Sequence, residues 1–427
     1  MHIYFAGIGG AGISPLAEIA HKAGYKVSGS DMQETPYLEY LRKHGVDDIH
    51  IGESYEQISA VHTTSPIDWY VRSSAIPDSS EEVRFCHEQA IKSSKRDEFL
   101  NFILEDQALK LIAIAGTHGK STTTAMVVWL FKQLGEPFNY LLPAKTNFGD
   151  MGEFAKESQF FVYECDEFDR NFLAFKPFIS LITGVSWDHH EIFPTREEYQ
   201  EAFRDFIGQS QHTLIWQDDA DYLGIEESDT LTVYSPDDAD IRKISLKGQY
   251  TRLDAWLAVQ AVHQATGAPL EDLLGYMDDF PGLQRRMEQI APNLYSDYAH
   301  TPEKIKGAMS VALEMAADAN QNLVVVYEPL TNRRQHYMLN DYKDCFEGAT
   351  QVYWVPSYLA REDPDQRVLP PEELITRLDD PSIAVPAERD EHLKRTIQSH
   401  LAKGDMVVGM AGGGGGSLDD WLRKEFQ

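Results

Sequence analysis

The sequence predicts an α/β protein of three domains, each with a mostly parallel sheet and helices on its faces. Short apolar runs of strand length alternate with longer segments of helical periodicity, which is the pattern of parallel sheets. Two of the strand-to-helix junctions are rich in glycine, at residues 7–12 and 116–119. At 427 residues the chain is also too long for a single core. We therefore expect domains at residues 1–107, 108–290 and 291–427.

The first domain opens with a predicted strand over residues 2–6, a glycine-rich loop and a helix over residues 13–23. A second strand then leads to an acid, Asp31. This Rossmann-like unit places a diphosphate at the helix N-terminus and a ribose hydroxyl on the acid. NAD, FAD and UDP-sugars all suit it, and the alternative is a doubly wound domain that serves packing only. The candidate ligand contacts are Gly9, Gly10, Ala11, Gly12, Ser30, Asp31, Ser73 and Ser74.

The charged segment 92–98 and the helix after it are expected to lead into the second domain, which begins near Ala108 and has the apolar run 111–115 as its first strand. A glycine loop and a predicted helix over residues 122–134 come next. Loop and helix N–H groups of this kind bind polyphosphates, with Lys120 on the outer phosphates and Ser121 on Mg²⁺. In the usual loop four residues separate the first glycine from the Gly-Lys pair, whereas here only two residues separate Gly116 from that pair. The alternative is a glycine turn with an incidental lysine. The predicted ATP contacts are Gly116, Thr117, His118, Gly119, Lys120, Ser121 and Thr122.

Two polar clusters follow predicted strands of this domain. The acidic segment 164–169 comes after a strand over residues 159–163, and Asp188 and His189 come after a strand over residues 178–183. The carboxyl ends of parallel strands meet at one edge of a sheet, so both clusters are expected beside the phosphate loop. A carboxylate and an imidazole are reasonable ligands there for magnesium ions bridging ATP and a second anion. The alternatives are a solvated acidic turn and a helix N-cap with exposed histidines.

The remaining chain predicts a third α/β domain, again Rossmann-like. The polar stretch 218–240 indicates irregular surface or a β-rich excursion, and a helix is expected over residues 253–265. Beyond it, strands alternate with helices from residue 294 onward. The glycine run 412–416 suits a loop that closes over a ligand as well as it suits a flexible turn.

The composition excludes several classes of partner. Lys+Arg 38 against Asp+Glu 68 gives a formal net charge of −30, which argues against nucleic acids and anionic membranes. Three scattered cysteines indicate neither a disulfide framework nor a zinc cluster. No signal-peptide pattern and no apolar run of bilayer length is found. We expect a cytoplasmic monomer or homodimer with small-molecule substrates.

Taken in order, these motifs resemble those of the Mur ligases, the ATP-dependent amino-acid ligases of peptidoglycan precursor synthesis. The resemblance spans all three predicted domains and accounts for the short phosphate loop. It implies that the first domain binds a UDP-sugar, the second is P-loop ATPase-like, and the third binds the amino acid and closes. The segments that carry it are residues 7–12, 28–31, 73–76, 116–123, 164–169, 188–189, 285–286 and 297–302.

The resemblance implies an ATP-dependent ligase that joins L-alanine to the lactyl carboxylate of UDP-N-acetylmuramate through an acyl phosphate. Attachment of a tripeptide to the same sugar nucleotide is the alternative, and residues 188–194 and 327–333 lean towards it. An NAD-dependent or UDP-sugar oxidoreductase and a non-catalytic ATP-binding subunit are alternatives of other classes. One departure from the family is Gly184, where asparagine is usual after Thr183.

The roles that the resemblance implies are specific to residues. ATP is a substrate and Mg²⁺ is the cofactor, with two sites. The implied metal ligands are Ser121, Glu164 and His189; the implied catalytic residues are Lys120, Glu164, His189, Arg286 and His300; and the implied nucleotide contacts of the third domain are Arg286 and Asp297.

Overall fold

A computed structural model describes residues 1–73, 75–142, 146, 148–189, 192–237, 240–360 and 362–427. Ser74, a predicted ligand contact, lies outside the described residues. The chain divides into two compact units, residues 1–238 with 257–280, and residues 239–256 with 281–427. The first unit contains two sheets and the second contains one.

The first sheet has five parallel strands in the order β3-β2-β1-β4-β5. The strand order reverses between β1 and β4, which is where α/β sheets bind ligands. The segment 92–98 is therefore the edge strand and the start of the last helix of this sheet, and that helix ends at Asp106, just before the predicted start of the second domain. The elements are β1 (His2–Ala6), α1 (Ser14–Lys22), β2 (Lys26–Asp31), α2 (Pro36–Lys43), β3 (Ile49–Ile51), α3 (Tyr55–Thr64), β4 (Trp69–Arg72), α4 (Glu81–Glu88), β5 (Lys92–Lys95) and α5 (Arg96–Asp106).

The second sheet has the order β12-β11-β10-β6-β9-β7-β8, parallel except for β8. Strand β6 is buried along nearly its whole length at the centre, as its apolar sequence predicts. The stretch 218–240 is more regular than predicted, because it contributes most of a helix and one strand. The elements are β6 (Lys110–Ala115), α6 (Lys120–Leu134), β7 (Asn139–Leu141), β8 (Gly152–Glu153), β9 (Phe160–Glu164), a 3-10 helix (Phe168–Ala174), β10 (Ile179–Ile182), α7 (Arg196–Gln209), β11 (Thr213–Trp216), α8 (Gln217–Leu223), β12 (Leu231–Tyr234), a 3-10 helix (Ile241–Lys243), α9 (Gln249–Thr266) and α10 (Leu270–Asp278).

The third sheet has the order β13-β14-β18-β15-β16-β17, parallel except for β13. Its central strands β15 and β18 are fully buried. The elements are β13 (Glu288–Ala291), β14 (Leu294–Asp297), α11 (Pro302–Asp318), β15 (Leu323–Glu328), α12 (Asn332–Met338), β16 (Gln351–Trp354), α13 (Pro371–Ile375), a 3-10 helix (Pro381–Ile383), β17 (Ala384–Pro386), α14 (Glu391–Lys403), β18 (Met406–Ala411) and α15 (Leu418–Phe426).

The first two sheets share one hydrophobic core. Buried side chains of β1 and α5 belong to the same apolar cluster as those of β6 and α7. A buried hydrogen bond, from the Tyr163 hydroxyl to Asp97 Oδ1 at 2.7 Å, also joins α5 to β9. The boundary near residue 107 is thus not a break in packing, and the three domain ranges stay a prediction. Within the described part of the chain, no helix has the length and apolar character needed to cross a bilayer.

Candidate active site

The phosphate loop joins the end of β6 to the start of α6, as predicted. Gly116 has φ +146, and a Cβ there would lie 2.5 Å from Thr183 Oγ1, so only glycine fits. Gly119, with φ +80, stands at the N-cap of α6. The helix begins at Lys120, so its first N–H groups and its dipole point into the loop. Such a loop can bind a polyphosphate, and its residues from Thr117 to Thr122 are partly accessible.

Thr117 holds the loop in place. Its N–H donates to Gly184 O at 2.8 Å, and its hydroxyl donates to Ser186 O at 2.8 Å. Ser186 N–H donates back to the hydroxyl at 2.9 Å, and the Tyr199 hydroxyl lies 2.8 Å away. Both the hydroxyl and the N–H of Thr117 are thus engaged within the protein, and its contact with ATP stays a prediction.

Gly184, the departure from the family pattern, is explained by its surroundings. Its φ is +153, and a Cβ on it would lie 2.1 Å from Cε1 of His118. We expect Gly184→Ala to lower the free energy of unfolding by about 1–3 kcal/mol and to weaken ATP binding, because the loop must shift. Urea unfolding measures the stability and calorimetry measures the ATP affinity. Gly208→Ala is the control, since nothing lies within 4 Å of a Cβ at that position. Equal losses of stability and ATP affinity in the two variants would contradict a steric role for Gly184.

Lys120 is paired with an acid that the sequence did not single out. Its Nζ lies 2.6 Å from Glu167 Oε2 and donates to Gly116 O at 2.5 Å. Burial opposes ionisation of Glu167, but the Lys120 cation and the hydrogen bonds from His189 and Lys120 together outweigh it and lower the pKa of this carboxyl to about 2. The other oxygen, Oε1, lies 3.6 Å from His189 Nε2. The sequence indicated Glu167 only as one member of the acidic segment 164–169, with no role of its own.

Glu164, at the end of β9, has the environment of a metal ligand. Its carboxyl hydrogen-bonds to Ser121, and burial raises its pKa. Its Oε2 is buried and finds no hydrogen-bond partner among the described residues. A hard cation satisfies such an oxygen, and a carboxylate with a hydroxyl is a donor set that Mg²⁺ favours. Glu164 and Ser121 therefore fit the predicted Mg²⁺.

His189, the third predicted ligand, pairs with Glu167. Burial lowers its pKa, but Glu167 and Asp188 outweigh burial, and the net shift is upward. Over the described residues, no group of three or more His, Cys, Asp or Glu side chains is arranged to hold a metal ion. Of the predicted ligands, Ser121 contacts Glu164, whereas His189 pairs with Glu167, and the number of metal ions stays a prediction.

The glycine-rich loop of the first sheet is held by β2. Gly7 and Ile8 donate their N–H groups to Ser30 O at 2.8 and 3.0 Å. Gly9 N–H donates to Asp31 Oδ2 at 2.8 Å. The Ser30 hydroxyl is fully buried and donates elsewhere, to Glu82. A ligand contact from that hydroxyl is therefore contradicted, because Ser30 supports the loop from beneath.

The other predicted residues of this loop are placed where a ligand can reach them. Gly10, Ala11 and Gly12 are at least partly exposed. Ser73 lies beside the loop, 3.2 Å from where a Cβ on Gly7 would stand. Sequence reasoning missed Arg96, whose Nη1 lies 2.6 Å from the corresponding position on Gly12. This guanidinium gives the loop a cation that suits a diphosphate.

The second unit brings together the residues predicted at the carboxyl end of β14. Asp297 is buried and accepts a hydrogen bond from Met287 N–H at 2.9 Å. Burial raises the pKa of Asp297, opposed by the Arg286 cation. His300 Nδ1 donates to Tyr298 O at 2.8 Å.

Arg334, which was also missed, lies with Nη1 3.3 Å from His300 Nε2. Burial and nearby cations hold the pKa of His300 well below its usual range, so the ring is neutral and Nε2 accepts. Arg334 follows β15 in a chain segment remote from His300, so no local pattern indicated the contact.

The chain matches three Mur ligase domain models along its length. Residues 2–107 match the Mur ligase family catalytic domain, residues 114–257 the Mur ligase middle domain, and residues 285–413 the Mur ligase glutamate ligase domain. UDP-N-acetylmuramate–L-alanine ligase of Campylobacter curvus is 28% identical over 393 residues, covering 85% of this chain and 86% of that protein. The enzyme of the same name from Rickettsia massiliae is 27% identical, covering 99% and 95%.

Two solved structures share the fold. UDP-N-acetylmuramate-alanine ligase of Thermotoga maritima has a TM-score of 0.72 at 22% identity, covering 100% of this chain and 98% of that one. A murein peptide ligase of Psychrobacter arcticus has a TM-score of 0.59 at 20% identity, covering 97% and 96%.

Proposed function

The chain belongs to the Mur ligase family, and on this premise we propose that it joins L-alanine to the lactyl carboxylate of UDP-N-acetylmuramate. The carboxylate attacks the γ-phosphate of ATP, ADP leaves, and an acyl phosphate forms. The amine of L-alanine then displaces phosphate as the amide bond forms. The names of the relatives support the choice of substrates.

The observation that carries the proposal is the phosphate loop with Lys120, together with Glu164, whose buried Oε2 has no hydrogen-bond partner among the described residues. Two anions must meet in the first step, a carboxylate and a triphosphate. The Lys120 cation and the N–H groups at the start of α6 offset their repulsion and stabilise charge in the transition state. Mg²⁺, when bound, neutralises and orients the phosphates. Ser121 and Glu164 would hold it, and His189 would serve a second ion.

The second unit has two proposed roles. Arg286 and Asp297 contact the nucleotide. His300 positions Arg334 for the carboxylate of the incoming amino acid, because both of its ring nitrogens are already engaged. His300, which the resemblance implies to be catalytic, is thus proposed as a positioning residue. We also propose a cytoplasmic location, where ATP and UDP-sugars are available, and a monomer or a homodimer.

Phosphate release from ATP tests the proposal. We expect release only when UDP-N-acetylmuramate and an amine are both present, with L-alanine preferred over L-serine, glycine and the tripeptide L-alanyl-γ-D-glutamyl-meso-diaminopimelate. NAD should have no effect. Absence of phosphate with every amine would contradict the ligase assignment. Preference for the tripeptide would instead support the second candidate, which the segments 188–194 and 327–333 favour.

A further inference from the structure

An ion pair with Glu167 holds the Lys120 side chain against its own loop. The two side chains are 13% and 1% exposed, so the ion pair is shielded from water. Two of the three ammonium protons have acceptors inside the protein, Glu167 Oε2 and Gly116 O. The cation expected to meet the outer phosphates is thus already engaged by an anion of the protein.

We propose that Glu167 is a positioning residue that takes the place of the outer phosphates of ATP when no nucleotide is bound. Its carboxylate neutralises the charge of the buried Lys120 and holds the ammonium group against the loop, and the ion pair breaks when the triphosphate binds. This inference rests on the proposed ATP site. A buried ammonium without a counter-ion is strongly unfavourable, so the ion pair stabilises the loop conformation in the absence of ATP.

Glu167 also has partners besides Lys120, and it keeps them after the exchange as long as no metal ion binds His189. The Tyr199 hydroxyl lies 3.5 Å from Oε1, and His189 Nε2 lies 3.6 Å from the same oxygen. These contacts use the oxygen that faces away from Lys120. The carboxylate therefore stays paired after Lys120 leaves it, and it competes with ATP for the lysine.

The competition has a measurable consequence that a purely structural residue would not show. In the presence of EDTA and without Mg²⁺, Glu167→Gln should bind ATP about tenfold more tightly than the wild type, because the competing charge is gone. The effect on AMP binding should be small, since AMP lacks the outer phosphates. Isothermal titration calorimetry measures both affinities.

Asp166→Asn is the matched control. Asp166 is the neighbouring acid and also acts on Lys120 through space, but its Oδ1 accepts from Phe168 N–H at 3.2 Å. If charge alone matters, the Asp166 and Glu167 variants should tighten ATP binding equally. The inference requires a clearly larger effect for Glu167→Gln.

Equal or weaker ATP binding by folded Glu167→Gln would overturn the inference and leave the ATP site standing. A wild type that binds no ATP, with or without Mg²⁺, would overturn the proposed function itself. If Glu167→Gln does not fold, Glu167→Asp serves in its place. This shorter carboxylate reaches Lys120 less well and should also tighten ATP binding over AMP binding, and no change would count against the inference.

Discussion

Lys120→Ala should slow phosphate release from ATP by about a thousandfold or more, while binding of UDP-N-acetylmuramate is retained. Lys120 provides the side-chain cation of the phosphate loop, so its loss leaves the repulsion between the carboxylate and the triphosphate unrelieved. The proposed UDP-sugar contacts belong to a different loop, on the first sheet. Phosphate-release kinetics and calorimetry with the UDP-sugar measure the two properties separately.

Two further variants make this test specific. Lys132→Ala changes a lysine of the same helix whose Nζ pairs with Glu153 at 2.9 Å, and we expect unchanged turnover. Lys120→Ala also removes the nearer of the two cationic partners of the buried Glu167, with only His189 left 3.6 Å away, and we expect this to destabilise the fold by at most about 3–5 kcal/mol. The double variant with Glu167→Gln removes that penalty and should be equally inactive. Loss of UDP-sugar binding in a folded double variant would mean that the two loops do not act separately.

The elements with a strong local signal were predicted from the sequence. Strand β6 is a continuous apolar run, and the glycines 116 and 119 are required by positive φ angles that other residues adopt poorly. Strand β5 was missed because its four residues, Lys92 to Lys95, are all polar. It is an edge strand, where one long side is exposed and an apolar sequence is not needed.

The site residues that were missed are defined by contacts between distant parts of the chain. Glu167 meets Lys120 across 47 positions, and Arg334 meets His300 across 34. Local periodicity carries no information about such pairs. Ser30 shows the opposite case, because its place beside Asp31 at the end of the second strand indicated a ligand contact, whereas its hydroxyl is buried and donates to Glu82. The sequence thus identified the loops better than the side chains that support them.

The acid beneath Ser30 should make the stability of the first sheet depend on pH. Glu82 is fully buried and accepts hydrogen bonds from the hydroxyls of Tyr4 at 2.9 Å, Ser30 at 3.0 Å and Tyr70 at 3.3 Å. Burial raises its pKa from 4.5 to about 7, and the Ser30 and Tyr4 hydroxyls oppose only part of that shift. The folded protein therefore holds a proton that the unfolded chain releases at lower pH.

The direction of the pH dependence follows from this difference between the pKa of Glu82 in the folded and in the unfolded protein. Stabilisation by the protonated carboxyl is complete below pH 4.5 and is lost as the pH rises through about 7, a change of about 3 kcal/mol in total. Glu82→Gln is neutral throughout, so its free energy of unfolding should gain about 2 kcal/mol over the wild type between pH 5.5 and pH 8. Urea unfolding at several pH values measures this difference. Glu88→Gln, an exposed change on the same helix, should parallel the wild type. A Glu82→Gln curve that also runs parallel would show that the buried carboxyl does not titrate in this range, and the hydroxyls around it would then have to hold it ionised.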